Sequence, residues 1–246
     1  MMPVIGAFRA TRLMFHLVHG FILAAGFPRF NADRQRRILQ RWSCKLLCIL
    51  NVKLAFEPVS LPGSCIVVTN HISWLDVFVL NAVAPMRFVA KSEVRQWPLF
   101  GWLCARAQTL FIERGRARDA ARINRQLVKL LQEGESLVVF PEGTTTDGKT
   151  VGAFHASLLQ PAVDAEAAVY PLAIRYQDAH GRHSAAAAYI GDVSFIASLW
   201  NILVCRSLHV RLIATSSIDA SNSDRRSLAH QARAQIHEAI LEMSAP

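Results

Sequence analysis

The hydrophobic positions of this 246-residue chain change rhythm twice. Leu13 to Phe27 (LMFHLVHGFILAAGF) is almost continuously apolar but short for a bilayer crossing, which takes about 20 residues. It is interrupted by His16, His19 and Gly20. Arginines flank it on both sides, Arg9 and Arg12 before, Arg29, Arg34, Arg36 and Arg37 after, so the asymmetry that orients a spanning helix is missing. The pattern predicts a helix lying in or dipping into one leaflet, with a signal peptide ending at Ala24-Ala25-Gly26 as the rival reading. From Ala32 to Leu50 the period becomes helical. Ile38, Leu39, Trp42, Leu46 and Ile49 share one face and Arg34, Arg37, Arg41 and Lys45 the other, which predicts a basic amphipathic helix and a two-helix anchor over residues 1–50.

Beyond Leu50, short β-rich runs alternate with helical stretches. Strands are predicted at Val52–Phe56, Cys65–Thr69, Arg87–Ala90, Thr109–Ile112, Leu137–Phe140, Val169–Arg175, Ala187–Ile190 and Val210–Ala214. Helices are predicted at Trp74–Ala84, Arg118–Gln132, Ala156–Ala165 and Asp224–Met243, the last begun by the cap signals of Ser221-Asn222-Ser223. This alternation predicts an α/β fold over 51–246, with a mixed, mostly parallel sheet flanked by helices. Pro171 should break its strand early and make it an edge or bulged one.

Charge adds a preference for partners. The chain carries 27 Lys and Arg against 18 Asp and Glu, a net +9 with histidines neutral, so it should seek anionic surfaces. Together with 52% hydrophobic residues, that favours a membrane surface over nucleic acid. Five cysteines without paired short spacing indicate a reduced, cytoplasm-facing protein. Cys44 and Cys48 read as buried small apolar side chains rather than metal ligands.

Reactive groups in such sheets collect at the carboxyl ends of strands, and four junctions carry chemistry. After Cys65–Thr69 comes NHISWLD. Five residues of one helix turn about 500°, so His71 and Asp76 meet only if His71 sits on the turn before the helix and Asp76 in its first turn. A histidine braced by a carboxylate is a general base for a hydroxyl. The strand Thr109–Ile112 delivers Arg114, whose guanidinium suits a phosphate. Leu137–Phe140 runs into the Gly-containing loop PEGTTTDG, which can offer backbone amides to a phosphate or an oxyanion. VYPLAIR follows later.

These four blocks, NHISWLD, LFIERG, FPEGT and VYPLAI in that order between about Thr69 and Arg175, resemble the glycerolipid acyltransferases typified by 1-acylglycerol-3-phosphate acyltransferase. The resemblance implies that His71 deprotonates a lysolipid hydroxyl and that Asp76 orients His71. It implies that Arg114 holds the acceptor's phosphate, with Glu142, Gly143 and Thr144 in the acceptor site. The donor would be acyl-CoA or an acylated carrier protein, with no metal or organic cofactor and no nucleic-acid partner, at the cytoplasmic face of the inner membrane. Two positions depart from the family pattern. Gln108 stands where Gly is frequent, and Thr145 where an arginine follows Glu-Gly-Thr, which weakens the case for a phosphate-bearing acceptor. The FPEGTT-x-DG loop and Tyr189-Ile190-Gly191-Asp192 are similar to relatives that acylate lyso-ornithine lipid.

Other classes compete for the same residues. Gly143 to Thr150 satisfies the phosphate-loop pattern G-x4-G-K-[ST], although Asp147 would place a carboxylate in the phosphate cradle. A basic surface-binding module explains the charge and leaves His71, Asp76 and Glu142 without a task. A serine hydrolase is disfavoured because no G-x-S-x-G elbow occurs.

Overall fold

The computed structural model describes residues 2–56, 63–112 and 117–243. Its elements in chain order begin with helices α1 (Met2–Gly26) and α2 (Ala32–Leu50), then β1 (Val52–Phe56), β2 (Cys65–Thr69) and α3 (Asp76–Val83). Next come β3 (Arg87–Lys91), α4 (Phe100–Arg106), β4 (Leu110–Ile112), α5 (Ala117–Gln132) and β5 (Leu137–Val139). The chain closes with α6 (Gln160–Ala165), β6 (Ala168–Gln177), α7 (Phe195–Val204), β7 (Leu208–Ala214) and α8 (Arg225–Glu242). The described strands form one seven-stranded sheet in the order β1-β7-β6-β2-β5-β3-β4. All neighbours are parallel except β6 and β7.

The central strand β2 is buried on both faces, and alternation divides its side chains between two cores. Cys65 and Val67 join a core with α2, α3 and α7, while Ile66 and Val68 join one with α5, α6 and α8. The result is a three-layer sandwich with α1 and α2 packed on the first of these faces.

Several expectations are corrected. Strand β6 is interior, between β7 and β2, and runs from Ala168 to Gln177, so Pro171 neither ends it early nor makes it an edge; of the two expected outcomes the bulge is the one found. Proline is tolerated because the register against β7 slips by one residue there, from Leu172↔Ala214 to Val169↔Ile218, a bulge that needs no amide from Pro171. Its carbonyl still accepts from Thr215 N. Ala187–Ile190 is not a strand. Tyr189 instead uses its amide on the Ile72 carbonyl and its carbonyl on the Thr145 hydroxyl, bridging two loops rather than joining a ladder. Cys44 and Cys48 are exposed on α2, not buried. The cap of α8 is Asp224, which accepts from Arg226 N and Ser227 N, one step beyond the predicted signals.

The N-terminal helix is longer than its apolar core suggested, and Val4–Arg29 is long and apolar enough to cross a membrane. Two of the three residues that interrupt the apolar run, His16 and Gly20, meet α2. His16 stacks on Trp42 at 4.3 Å, His16 Nε2 lies 3.1 Å from the Trp42 carbonyl, and Trp42 Nε1 donates to the His16 carbonyl. Gly20 has no room for a Cβ, which would sit 2.7 Å from Trp42 Nε1. Arg9 is buried and donates to the carbonyls of Leu203 and Cys205, closing the negative end of α7.

Candidate active site

Strand β2 ends at Thr69, and the buried Asn70 side chain then stands in for the next backbone pair. Its amide donates to the Ile174 carbonyl at 3.0 Å and its oxygen accepts from Ile174 N at 2.8 Å. The main chain is thus free to turn away from β6 and present His71 at the carboxyl edge of the sheet. Residues 71–75 form the turn, and Asp76 is the first residue of α3. His71 Nδ1 lies 2.9 Å from Asp76 Oδ2. That oxygen also accepts from Ile72 N at 2.8 Å and Ser73 N at 2.9 Å. Helix α3 has no side-chain cap at Leu75, so the Asp76 carboxylate folding back over the turn both closes it and places negative charge at a helix start. The other oxygen, Oδ1, accepts from the Tyr176 hydroxyl at 2.8 Å. Asp76 is fully buried, whereas the His71 side chain is 21% exposed.

The ring of His71 stacks on Phe140, with centroids 4.0 Å apart, and its main chain is held by Glu142. Glu142 Oε1 accepts from His71 N and Oε2 from Gly152 N, both at 2.8 Å. Burial pushes the Glu142 carboxyl above the usual carboxylate range, and the two amides pull the other way. With Nδ1 committed to Asp76, Nε2 of His71 has no partner among the described residues. It is the nitrogen left to accept a proton.

His71 forms part of the wall of a cleft of ≈ 370 Å³, beside Lys91, Gly143, Thr144, Thr145 and Tyr189. An almost entirely apolar hollow of ≈ 170 Å³ adjoins it between α1, α2 and the sheet. The two share Trp74, Val77, Phe78, Phe88, Phe100 and Phe195 as walls. A largely apolar cleft with an unpartnered imidazole and a few polar groups on its wall therefore opens beside a slot that fits a hydrocarbon chain.

Of the residues singled out from sequence, His71 and Asp76 come together, and Gly143 and Thr144 line the cleft. Glu142 does not line it, because it is buried and both its oxygens hold main-chain amides. Arg114 lies outside the described residues. The Gly143 amide donates to the Phe140 carbonyl and so is not available to an oxyanion. The phosphate-loop reading fails on structure. Such a loop opens a helix, whereas residues 151–155 are non-helical and Lys149 pairs with Asp147 at 3.8 Å. Sequence reasoning missed Asn70, Tyr176, the Phe140 stack and helices α4 and α7. Only α7 carried a usable signal, Ser194 capping an apolar run by accepting from Ala197 N.

Comparison with known proteins places this site in a family. A family model described as Acyltransferase matches residues 52–175. The chain is 37% identical over 249 residues to a lyso-ornithine lipid O-acyltransferase of Pseudomonas aeruginosa, covering 97% of this chain and 94% of that one. It is 39% identical over 165 residues to a 1-acyl-sn-glycerol-3-phosphate acyltransferase of Neisseria meningitidis, covering 67% and 64%. Among solved structures, the fold is similar to the 1-acyl-sn-glycerophosphate (LPA) acyltransferase PlsC of Thermotoga maritima. The TM-score is 0.65 at 19% identity, over 97% of this chain and 98% of that one. With the family blocks, the paired His71 and Asp76 and these matches in agreement, the chain belongs to the Acyltransferase family.

Proposed function

We propose that this protein transfers a fatty acyl group from acyl-CoA or an acylated carrier protein to the free hydroxyl of a lysolipid, with His71 as general base and Asp76 as its orienting partner. The observation that carries this reading is the 2.9 Å contact between His71 Nδ1 and Asp76 Oδ2 at the wall of a cleft that adjoins an apolar slot. Nε2 takes the hydroxyl proton as the oxygen attacks the thioester carbon. The carbon–sulfur bond then breaks, and the thiolate leaves with the proton carried by the imidazolium. No acyl-enzyme forms. Arg114 would face an anionic headgroup, and Gly143 and Thr144 would line the acceptor site.

Two acceptors fit this chemistry. A phosphate monoester such as 1-acylglycerol-3-phosphate suits Arg114 and Lys91, giving phosphatidic acid. Lyso-ornithine lipid is favoured by a specific observation: position 145 is a threonine whose hydroxyl is engaged by the Tyr189 carbonyl, so no second guanidinium stands there. The Pseudomonas relative that matches nearly end to end bears that name.

We further propose that residues 1–50 hold the enzyme at the cytoplasmic face of the inner membrane and that 51–246 form the catalytic unit. Val4, Phe8, Met14, Phe15, Val18 and Ile22 leave one side of α1 apolar and exposed, and the basic face of α2 suits anionic lipid. The buried Arg9, tied to the end of α7, favours a helix lying along the protein over one crossing away from it.

The test is mass spectrometry of lipids after purified full-length protein meets acyl-CoA and a panel containing lysophosphatidic acid and lyso-ornithine lipid, with His71→Ala in parallel. An acylated product that disappears in the variant is expected. Transfer undiminished in His71→Ala would sink the mechanism.

A further inference from the structure

Strand β6 contributes a group to the His71 and Asp76 pair that no sequence motif marks. Tyr176 is fully buried in the interior of the sheet, and its hydroxyl donates to Asp76 Oδ1 at 2.8 Å. The division of labour on the carboxylate is uneven. Oδ2 holds three donors, His71 Nδ1 and the amides of Ile72 and Ser73, while Oδ1 holds the phenol alone. Asp76 and Tyr176 are both fully buried, and Tyr176 belongs to the same apolar core as Leu75, Val79 and Ile174, so losing the phenol donor leaves a buried carboxylate oxygen unsatisfied.

We infer that Tyr176 is a positioning residue of the acyl-transfer reaction, fixing the plane and the basicity of the Asp76 carboxylate so that Oδ2 stays on His71 Nδ1. The inference rests on the proposed general-base role of His71. As His71 takes the hydroxyl proton it becomes an imidazolium facing Asp76, and a carboxylate locked on both oxygens stabilises that charge without first reorienting. A carboxylate missing its Oδ1 donor binds a proton more strongly and pulls harder on the proton shared with Nδ1, which raises the proton affinity of the pair.

Burial and the adjoining carboxylate push the Tyr176 phenol well above its usual range, so it is a donor at neutral pH. Among the described residues, the titratable groups facing the pair are Tyr176 from β6 and Glu142 from the loop after β5, and Lys91 at the end of β3 and Tyr189 line the same cleft. Glu142 sits on the main-chain side of His71 and reaches neither Asp76 oxygen, so it does not replace the phenol.

The experiment is the pH profile of kcat and KM for full-length Tyr176→Phe, with wild type and His71→Ala assayed alongside. The expected result is a kcat lower by about tenfold, the scale of one hydrogen bond to a charged group. KM stays within about twofold, and the acid limb moves to higher pH. In ¹⁵N-histidine-labelled protein, the downfield Nδ1–H resonance of His71 should move in the Phe variant. A Tyr176→Phe enzyme with an unmoved acid limb and undiminished kcat, even if less stable, overturns the inference. Should that variant not fold, site-specific incorporation of difluorotyrosine at position 176 keeps the ring and strengthens the donor. The acid limb should then move to lower pH, and an unmoved limb again overturns the idea. Activity retained in His71→Ala would sink the underlying reading itself, and loss there with an unmoved Tyr176→Phe profile sinks only the role of Tyr176.

Discussion

The amide of His71 donates to Glu142 Oε1 at 2.8 Å, so the glutamate of the third block holds the main chain of the residue whose ring faces the cleft. Its other oxygen holds Gly152, tying together two loops that the sequence separates widely. Glu142→Gln keeps one acceptor oxygen and turns an NH2 group toward an amide. It should cost about 1.5–3 kcal/mol, the range for a hydrogen bond to a charged group, and lower Tm by roughly 3–10 °C. Activity should fall through kcat with KM nearly unchanged. Thermal unfolding with steady-state kinetics checks this, and a KM effect alone would return Glu142 to the acceptor site.

His71 and Asp76 should separate in stability although both should be needed for transfer. His71→Ala removes a partly exposed ring and should unfold within about 1 kcal/mol of wild type. Asp76→Ala strands four donors in a closed core and should cost about 3 kcal/mol or more. Equal denaturation midpoints for the two variants would contradict the bonding around Asp76.

The apolar hollow makes a prediction about donor length. Ala24 on α1 is buried and lines it, so Ala24→Leu fills part of the space with three additional carbons. The variant should keep its kcat/KM for short acyl donors and lose about tenfold or more for the longest ones, following the cost of overpacking a filled slot. Competition between acyl-CoAs of different length reads the ratio directly. An unchanged ratio would place the chain elsewhere.

Tyr176 also predicts the alkaline behaviour of the fold. Its phenol is pushed well above the ordinary tyrosine value in the folded state, first by burial and then by the Asp76 carboxylate. A group raised in this way contributes its full stabilisation below its unfolded value, about 10, and loses it as pH rises beyond that point. The stability of wild type should therefore fall more steeply above about pH 10 than that of Tyr176→Phe. Denaturant midpoints of both proteins at neutral and alkaline pH test the difference, and parallel curves would refute it.

Most of the sheet was legible because its strands are short apolar runs bounded by turn residues, and β1 and β2 fall at their predicted limits. The His71 and Asp76 pair was legible because a spacing of five admits one arrangement, turn then helix start. Pro171 was half legible: a missing donor calls for an edge or a bulge, and the register slip supplies the bulge, while local chemistry does not say that the strand stays interior and runs on to Gln177. Glu142 was expected in the acceptor site, and its burial was not legible because one of the two amides that hold its carboxylate, that of His71, lies 71 residues away. Tyr176 was illegible, because an apolar strand gives no sign of which residue beyond the end of a neighbouring strand its hydroxyl will meet. Gln108 was legible only in hindsight. Its φ of 62° explains why glycine suits that position, and its side chain reaches Gln35 on α2 at 3.0 Å.

The way α1 and α2 are seated has a practical consequence for handling the enzyme. Leu46, Leu47, Ile49 and Leu50 belong to the same core as α3 and β1, and Gln40 holds the last carbonyls of α3. Trimming the first fifty residues would uncover a broad oily wall and open the apolar hollow, so the product would be prone to aggregate. Purification should keep the whole chain and supply detergent or nanodiscs in place of lipid.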